Sequence, residues 1–222
     1  MSYVYFRLPH STHVFRNRLS TEPEEIASLA ELNGRRGFVI APFTPSDDCP
    51  ILLLPTDWEE VNLNFSGDNQ NGEQTHLSSN DGVSAMLLDA DYEKERQRYA
   101  VDFHNYHGQL TNDAFQKIVL ARCARLTATE KLSPLTLFAR ACHRYPRMFV
   151  ALFSTERSDT WLIATPETLI SGTDGAMQTM ALAGTMRLSG ANLDFDVEGG
   201  SIGKDDIHWS TKNIKEQRYV ET

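Results

Sequence analysis

Lys117 stands in the stretch Phe115-Gln116-Lys117-Ile118-Val119-Leu120-Ala121-Arg122, where strand alternation puts its ammonium on the same face as Val119, Ala121 and Cys123. Apolar surroundings withdraw water from such a charge and lower a lysine pKa from about 10.4 towards neutrality, leaving an amine that can take a proton. A strand-end lysine that reaches back to water is the plain alternative. In Ala164-Thr165-Pro166-Glu167-Thr168-Leu169 a proline interrupts two apolar runs and presents the carboxylate of Glu167 directly after it. Proline there marks an edge or bulge, so Glu167 is either a proton donor turned into a cleft or a solvated turn residue. Ala181-Leu182-Ala183-Gly184-Thr185 is a strand end of small residues, whose backbone N–H groups can hold a carboxylate or simply form a turn.

Other signals fail on spacing. Gly199-Gly200-Ser201-Ile202-Gly203-Lys204 resembles a phosphate loop, but Glu198 occupies the position of the first glycine and Asp205 that of the magnesium-binding hydroxyl. His104 and His107 lie three apart with no third ligand at a metal spacing, which suits ordinary surface histidines. Asn64-Phe65-Ser66 matches a glycosylation acceptor, which has meaning only for an exported chain. Neither G-x-S-x-G nor a Cys/His constellation is present.

The elements that must position these groups follow from periodicity. Thr21-Glu22-Pro23-Glu24 reads as a capping box and predicts a helix over 21–32. Apolar runs at 37–43 and 51–54 predict strands. Residues 64–84, rich in Asn, Gly, Ser and Asp, read as a long loop, a flap or an insertion. A helix is expected from Asp89 to about Gly108, with Asp91, Glu93 and Glu95 at its positive end; Tyr92, Tyr99, Phe103 and Tyr106 share a face expected to be core. A short helix at 114–117 should feed a buried strand at 118–120. Helical spacing resumes over 133–145 and stops at Pro146, and strands follow at 149–154, 161–164, 168–171 and 178–183. Gaps this short exclude crossovers, so the fold class is α+β with mainly antiparallel sheets.

Composition agrees with an ordinary globular chain. The 222 residues carry 21 Lys plus Arg against 30 Asp plus Glu, a formal charge of −9, and 41 % are hydrophobic. Apolar runs of about four residues are far short of the ~20 that a bilayer crossing needs, so no membrane span is expected. With no basic-then-apolar leader at the N-terminus the expected location is cytoplasmic. Excess negative charge without a basic cluster argues against nucleic acid and favours a small ligand, held by local Lys, Arg or metal if it is anionic. Cys49, Cys123 and Cys142 are too few and too scattered for a disulfide framework and read as reduced packing residues.

Taken in order, the segments at Lys117, Thr165 and Leu182 resemble the patterns K-V-V-L-S-R, S-P-E-x-L and L-A-G-T of the chorismate-utilising enzyme family. Lys212-Asn213-Ile214-Lys215-Glu216-Gln217-Arg218-Tyr219-Val220 is similar to a fourth, K-D-x-x-E-H-x-x-V, with Gln217 in place of the usual His. The family includes isochorismate synthase, salicylate synthase and the chorismate-binding components of anthranilate and aminodeoxychorismate synthases. The resemblance implies two large antiparallel sheets packed face to face with helices outside. Lys117 falls where the water-using branches carry their base, and Ala183 falls where aminodeoxychorismate synthases commonly carry a reactive lysine. Isochorismate synthase, an isomerase feeding menaquinone or siderophore biosynthesis, is therefore the activity the resemblance implies first. On this reading Lys117 is the general base and Glu167 the general acid. Gly184 and Thr185 bind substrate, Glu216 is a ligand of Mg2+, and chorismate is the small-molecule partner. The family's further C-terminal motifs have no counterpart before Thr222. The expectation is one incomplete chorismate-binding domain, 1–88 its variable part and 89–222 the start of its catalytic part, unable by itself to assemble a complete site.

Overall fold

Alternation along Tyr3–Arg7 (β1) sends Tyr3, Tyr5 and Arg7 to one face and Val4 and Phe6 to the other, and two layers are built on those two faces. The computed structural model describes residues 2–18, 22–55, 57–62, 86–88, 92–123, 125–128, 131–173, 175–185 and 209–221. β1 lies centrally in a five-stranded antiparallel sheet with Val14–Arg18 (β2), Glu59–Val61 (β6), Phe149–Thr155 (β9) and Asp159–Thr165 (β10), in the order β10-β9-β1-β2-β6. Tyr5 pairs with Arg16 on one side and Leu152 on the other.

Helix Pro134–Arg144 (α2) covers the Tyr5 face. Ser133 caps it by accepting from the Thr136 N–H at 3.3 Å, and Pro134 opens it where no N–H is missed. Its apolar stripe follows the expected spacing: Phe138, Ala139 and Cys142 are buried, and Phe138 packs its ring 6.0 Å from that of Tyr5. Burial pushes the Cys142 thiol up to about 11 although nearby Arg7 pulls the other way. The guanidinium of Arg7 is buried too, and it donates to the carbonyls of Tyr145, Pro146 and Met148 at 2.5, 2.9 and 2.9 Å. It ties the chain at the end of the helix to β1, where the Tyr145 and Pro146 carbonyls also accept from the N–H groups of Met148 and His10. Because a lysine ammonium lacks the planar fork that serves several carbonyls at once, Arg7→Lys is expected to lower stability by about 1–3 kcal/mol in urea unfolding. A change within error would remove this role.

The opposite face of the sheet packs on a second antiparallel sheet of Glu24–Ile26 (β3), Ile51–Leu54 (β5) and Phe38–Ile40 (β4), in the order β3-β5-β4. All four β5 residues are buried, Leu52 and Leu54 against Val4 and Phe153, Ile51 and Leu53 against Ile26 and Leu32 on the far side. Phe6 and Trp58 meet edge to face, 4.9 Å apart, in the seam between the sheets. The α+β class with face-to-face antiparallel sheets is thus the observed one.

Four local expectations are overturned. The helix over 21–32 is instead the edge strand β3 and one 3₁₀ turn at Leu29–Leu32. Pairing with β5 buries Ile26 to 2 % exposure, and Glu24 and Glu25 bind Arg35 and Arg157 rather than cap a helix. Helix Tyr92–Thr111 (α1) forms, but it runs past Gly108, and none of its residues is buried. Its aromatic face, expected to be core, instead carries the Arg122 guanidinium over Tyr92 and Tyr99, at 5.7 and 6.0 Å from the ring centroids. Residues 115–123 form neither the short helix nor the buried strand; Val119 is 79 % exposed, because no strand among the described residues pairs with this run. In place of the strands expected at 168–171 and 178–183 stands the antiparallel pair Ser171–Thr173 (β11) and Ala176–Gln178 (β12), in which Ser171 lies opposite Gln178.

Met86–Leu88 (β7) and Leu126–Ala128 (β8) form a further antiparallel pair, and Thr211–Glu221 is helix α3. Residues 64–84, together with Asp89, Asp91 and the glycine-rich stretch at 199–204, lie outside the described residues. All three cysteines are free. Cys142 packs as expected, whereas Cys49 and Cys123 are exposed. Among the described residues no helix is long and apolar enough to cross a membrane.

Candidate active site

Two stripes of α3 face different parts of the chain. Lys212, Lys215, Glu216 and Tyr219 fall at i, i+3, i+4 and i+7, which places them on one side of a helix. They form one wall of an open pocket of about 590 Å³. The opposing wall is Leu110, near the end of α1, and the extended run from Gln116 to Leu120. Lys117 and Glu216, about a hundred positions apart in sequence, therefore share one cavity. Its volume lies within the ~300–1,000 Å³ usual for small-molecule sites.

Lys117 reaches this pocket by a different route from the one its segment suggests. It stands exposed in a wall of irregular, extended chain, and the apolar lining comes from Leu110, Ile118, Val119 and Leu120. Three lysines and one glutamate line the cavity, a surplus of basic side chains in a chain of net charge −9. Among the described residues none of these four groups has an ion pair or hydrogen bond through its side chain. Arg16, Arg35, Arg96, Arg98 and Arg157, by contrast, are each matched to a glutamate.

The second stripe, Asn213 and Gln217, docks α3 onto the segment 181–185. The Gln217 carboxamide donates to the Ala181 carbonyl at 2.7 Å and accepts from the N–H groups of Ala183 and Gly184 at 3.1 and 3.3 Å. Asn213 donates to the Thr185 carbonyl. A Cβ on Gly184 would come within 2.8 Å of the Asn213 carbonyl oxygen, so helix and segment approach this closely only with glycine there. Replacing Gln217 with Leu leaves two N–H groups and a carbonyl without their partner. The amides of Ala183 and Gly184 are then expected to exchange with solvent about tenfold faster or more, read by NMR; unchanged protection would remove the docking role.

Gly184 and Thr185 therefore sit against the helix that carries Glu216, on a neighbouring face, and are not part of the pocket lining. Glu167 is exposed in the stretch that follows β10, its N–H donating to the Thr165 hydroxyl at 3.2 Å, and it too is outside the lining. Lys212 and Lys215 are the pocket residues that sequence reasoning passed over, although the i, i+3, i+4, i+7 stripe was there to find.

As a metal centre the donor set is sparse: no group of three or more His, Cys, Asp and Glu comes together among the described residues. Glu216 is the one carboxylate in the pocket lining. That suits magnesium, which is commonly held by one or two carboxylates with water and substrate oxygens completing the shell.

The family profile described as chorismate binding enzyme matches residues 55–222. The chain belongs to the chorismate-binding enzyme family. The match takes in all four motif segments, from Lys117 to the helix of Glu216, and hence both walls of the pocket. No curated protein and no solved structure matches the chain. In this chorismate-binding enzyme the surplus of positive charge has an evident counterpart, since chorismate carries two carboxylates.

Proposed function

We propose that the protein is an isochorismate synthase, converting chorismate to isochorismate by adding water at C2 and releasing the C4 hydroxyl, in support of menaquinone or siderophore synthesis. The observation that carries the reading is the meeting of Lys117 with Glu216 in one positively charged pocket. The amine-transferring members of the family usually carry a residue that cannot act as a base at the Lys117 position, so a lysine there favours water as the nucleophile.

Lys117 begins as the neutral amine and takes a proton from water as the oxygen attacks C2. The ring double bonds shift, and the C4–O bond breaks. Glu167 begins as the acid and gives its proton to the departing hydroxyl, which leaves as water; this role rests on its motif. Water enters and water leaves, so the reaction needs neither oxidant nor ammonia. Glu216 would hold magnesium, which when bound offsets the carboxylate charge of the substrate. Gly184 and Thr185 would act as substrate-binding residues by their motif alone, from the neighbouring face of α3 where Gln217 and Asn213 hold them.

The test is to incubate the complete gene product with chorismate and magnesium, without ammonia, and to identify the product by NMR. Isochorismate is expected. Salicylate with pyruvate would mean that elimination follows the same first step, and unchanged chorismate until ammonia is supplied would overturn the choice of nucleophile.

A further inference from the structure

Lys212 and Lys215 have no part in the proton transfers proposed above, yet both side chains project into the pocket opposite Lys117. Each is exposed, and neither has a partner among the described residues. Paired with Glu216, one of them would be neutralised; the other would still leave the cavity cationic. Side by side on one turn of α3, the two ammonium groups present donors to the same patch of the cavity, and they stand in the first turns of the helix, where an anion is also favoured by the backbone dipole.

We infer that Lys212 and Lys215 form a carboxylate-binding arm, which grips one carboxylate of a dianionic ligand directly and orients it against Lys117. The identity of the anion as chorismate rests on the function proposed above; the class, a small dicarboxylate, rests on the charge and lining of the pocket. The arm sets affinity and position and takes no proton. The two ammonium groups keep the pocket cationic with Glu216 still present, which explains how an acidic chain holds an acidic substrate.

The experiment is calorimetric titration of the complete gene product with chorismate and, separately, with fumarate as a minimal dicarboxylate. The wild type is compared with the double variant Lys212→Gln, Lys215→Gln and with a control, Lys94→Gln, Lys131→Gln. The control makes the same change of net charge at exposed lysines outside the pocket. The arm predicts a Kd for chorismate raised roughly tenfold to a hundredfold in the pocket variant, a weaker salt dependence of binding, and little change in the control. Binding of fumarate without chorismate, lost in the pocket variant, would uphold the arm and overturn the chorismate reading. Equal Kd values in wild type and pocket variant, an equal loss in the control, or no binding of either dicarboxylate by folded wild type would overturn the arm.

Discussion

Lys117→Ala in the complete gene product is expected to lower kcat for chorismate turnover by about 10²–10⁴, the range typical of removing a positioned general base. The fold should be untouched, because Lys117 is exposed and its ammonium supports no other part of the chain. Circular dichroism and urea midpoint should therefore match the wild type while activity is lost. Turnover within a few-fold of wild type would exclude Lys117 from the chemistry. A collapsed urea midpoint would show that the residue holds structure instead.

Phe138→Ala should have the largest effect on stability, a loss of about 3–5 kcal/mol. The ring is fully buried between α2 and the first sheet, against Tyr5, Val14, Val150 and Leu152. Its removal subtracts the transfer free energy of an aromatic side chain and leaves a cavity that the surrounding strands, fixed by their ladders, cannot collapse to fill. Urea unfolding at constant m-value measures it. A loss below about 1 kcal/mol would mean that α2 adjusts freely on the sheet, contrary to a close-packed layer.

Local signals proved reliable where local and tertiary forces agree. In α2, the Ser133 cap, Pro134 and the apolar stripe all favour one helix with one buried face, and the sheet buries that face. In β5, four consecutive apolar residues read as a strand, and the structure buries all four of them between two flanking layers. The capping box before Pro23 failed because Ile26 gains more from pairing beside Ile51 than a short helix gains from its cap. Aromatic spacing along α1 gave the helix correctly but not its burial: amphipathicity says which face is sticky and does not supply the surface that covers it. Lys117 was picked out by residue type and motif, while its setting, an extended wall opposite α3, depends on chain a hundred residues away. Lys212 and Lys215 were legible as a helical stripe, but their chemistry came into view only when Lys117 stood across the pocket.

The central claim is that water, activated at Lys117, attacks C2 of chorismate. Running the reaction of the complete gene product in ¹⁸O-labelled water with magnesium and without ammonia, and locating the label in the product by mass spectrometry and NMR, tests it most directly. The account predicts isochorismate carrying one ¹⁸O, at C2. Isochorismate without the label, or chorismate left unchanged by the folded protein, would contradict it.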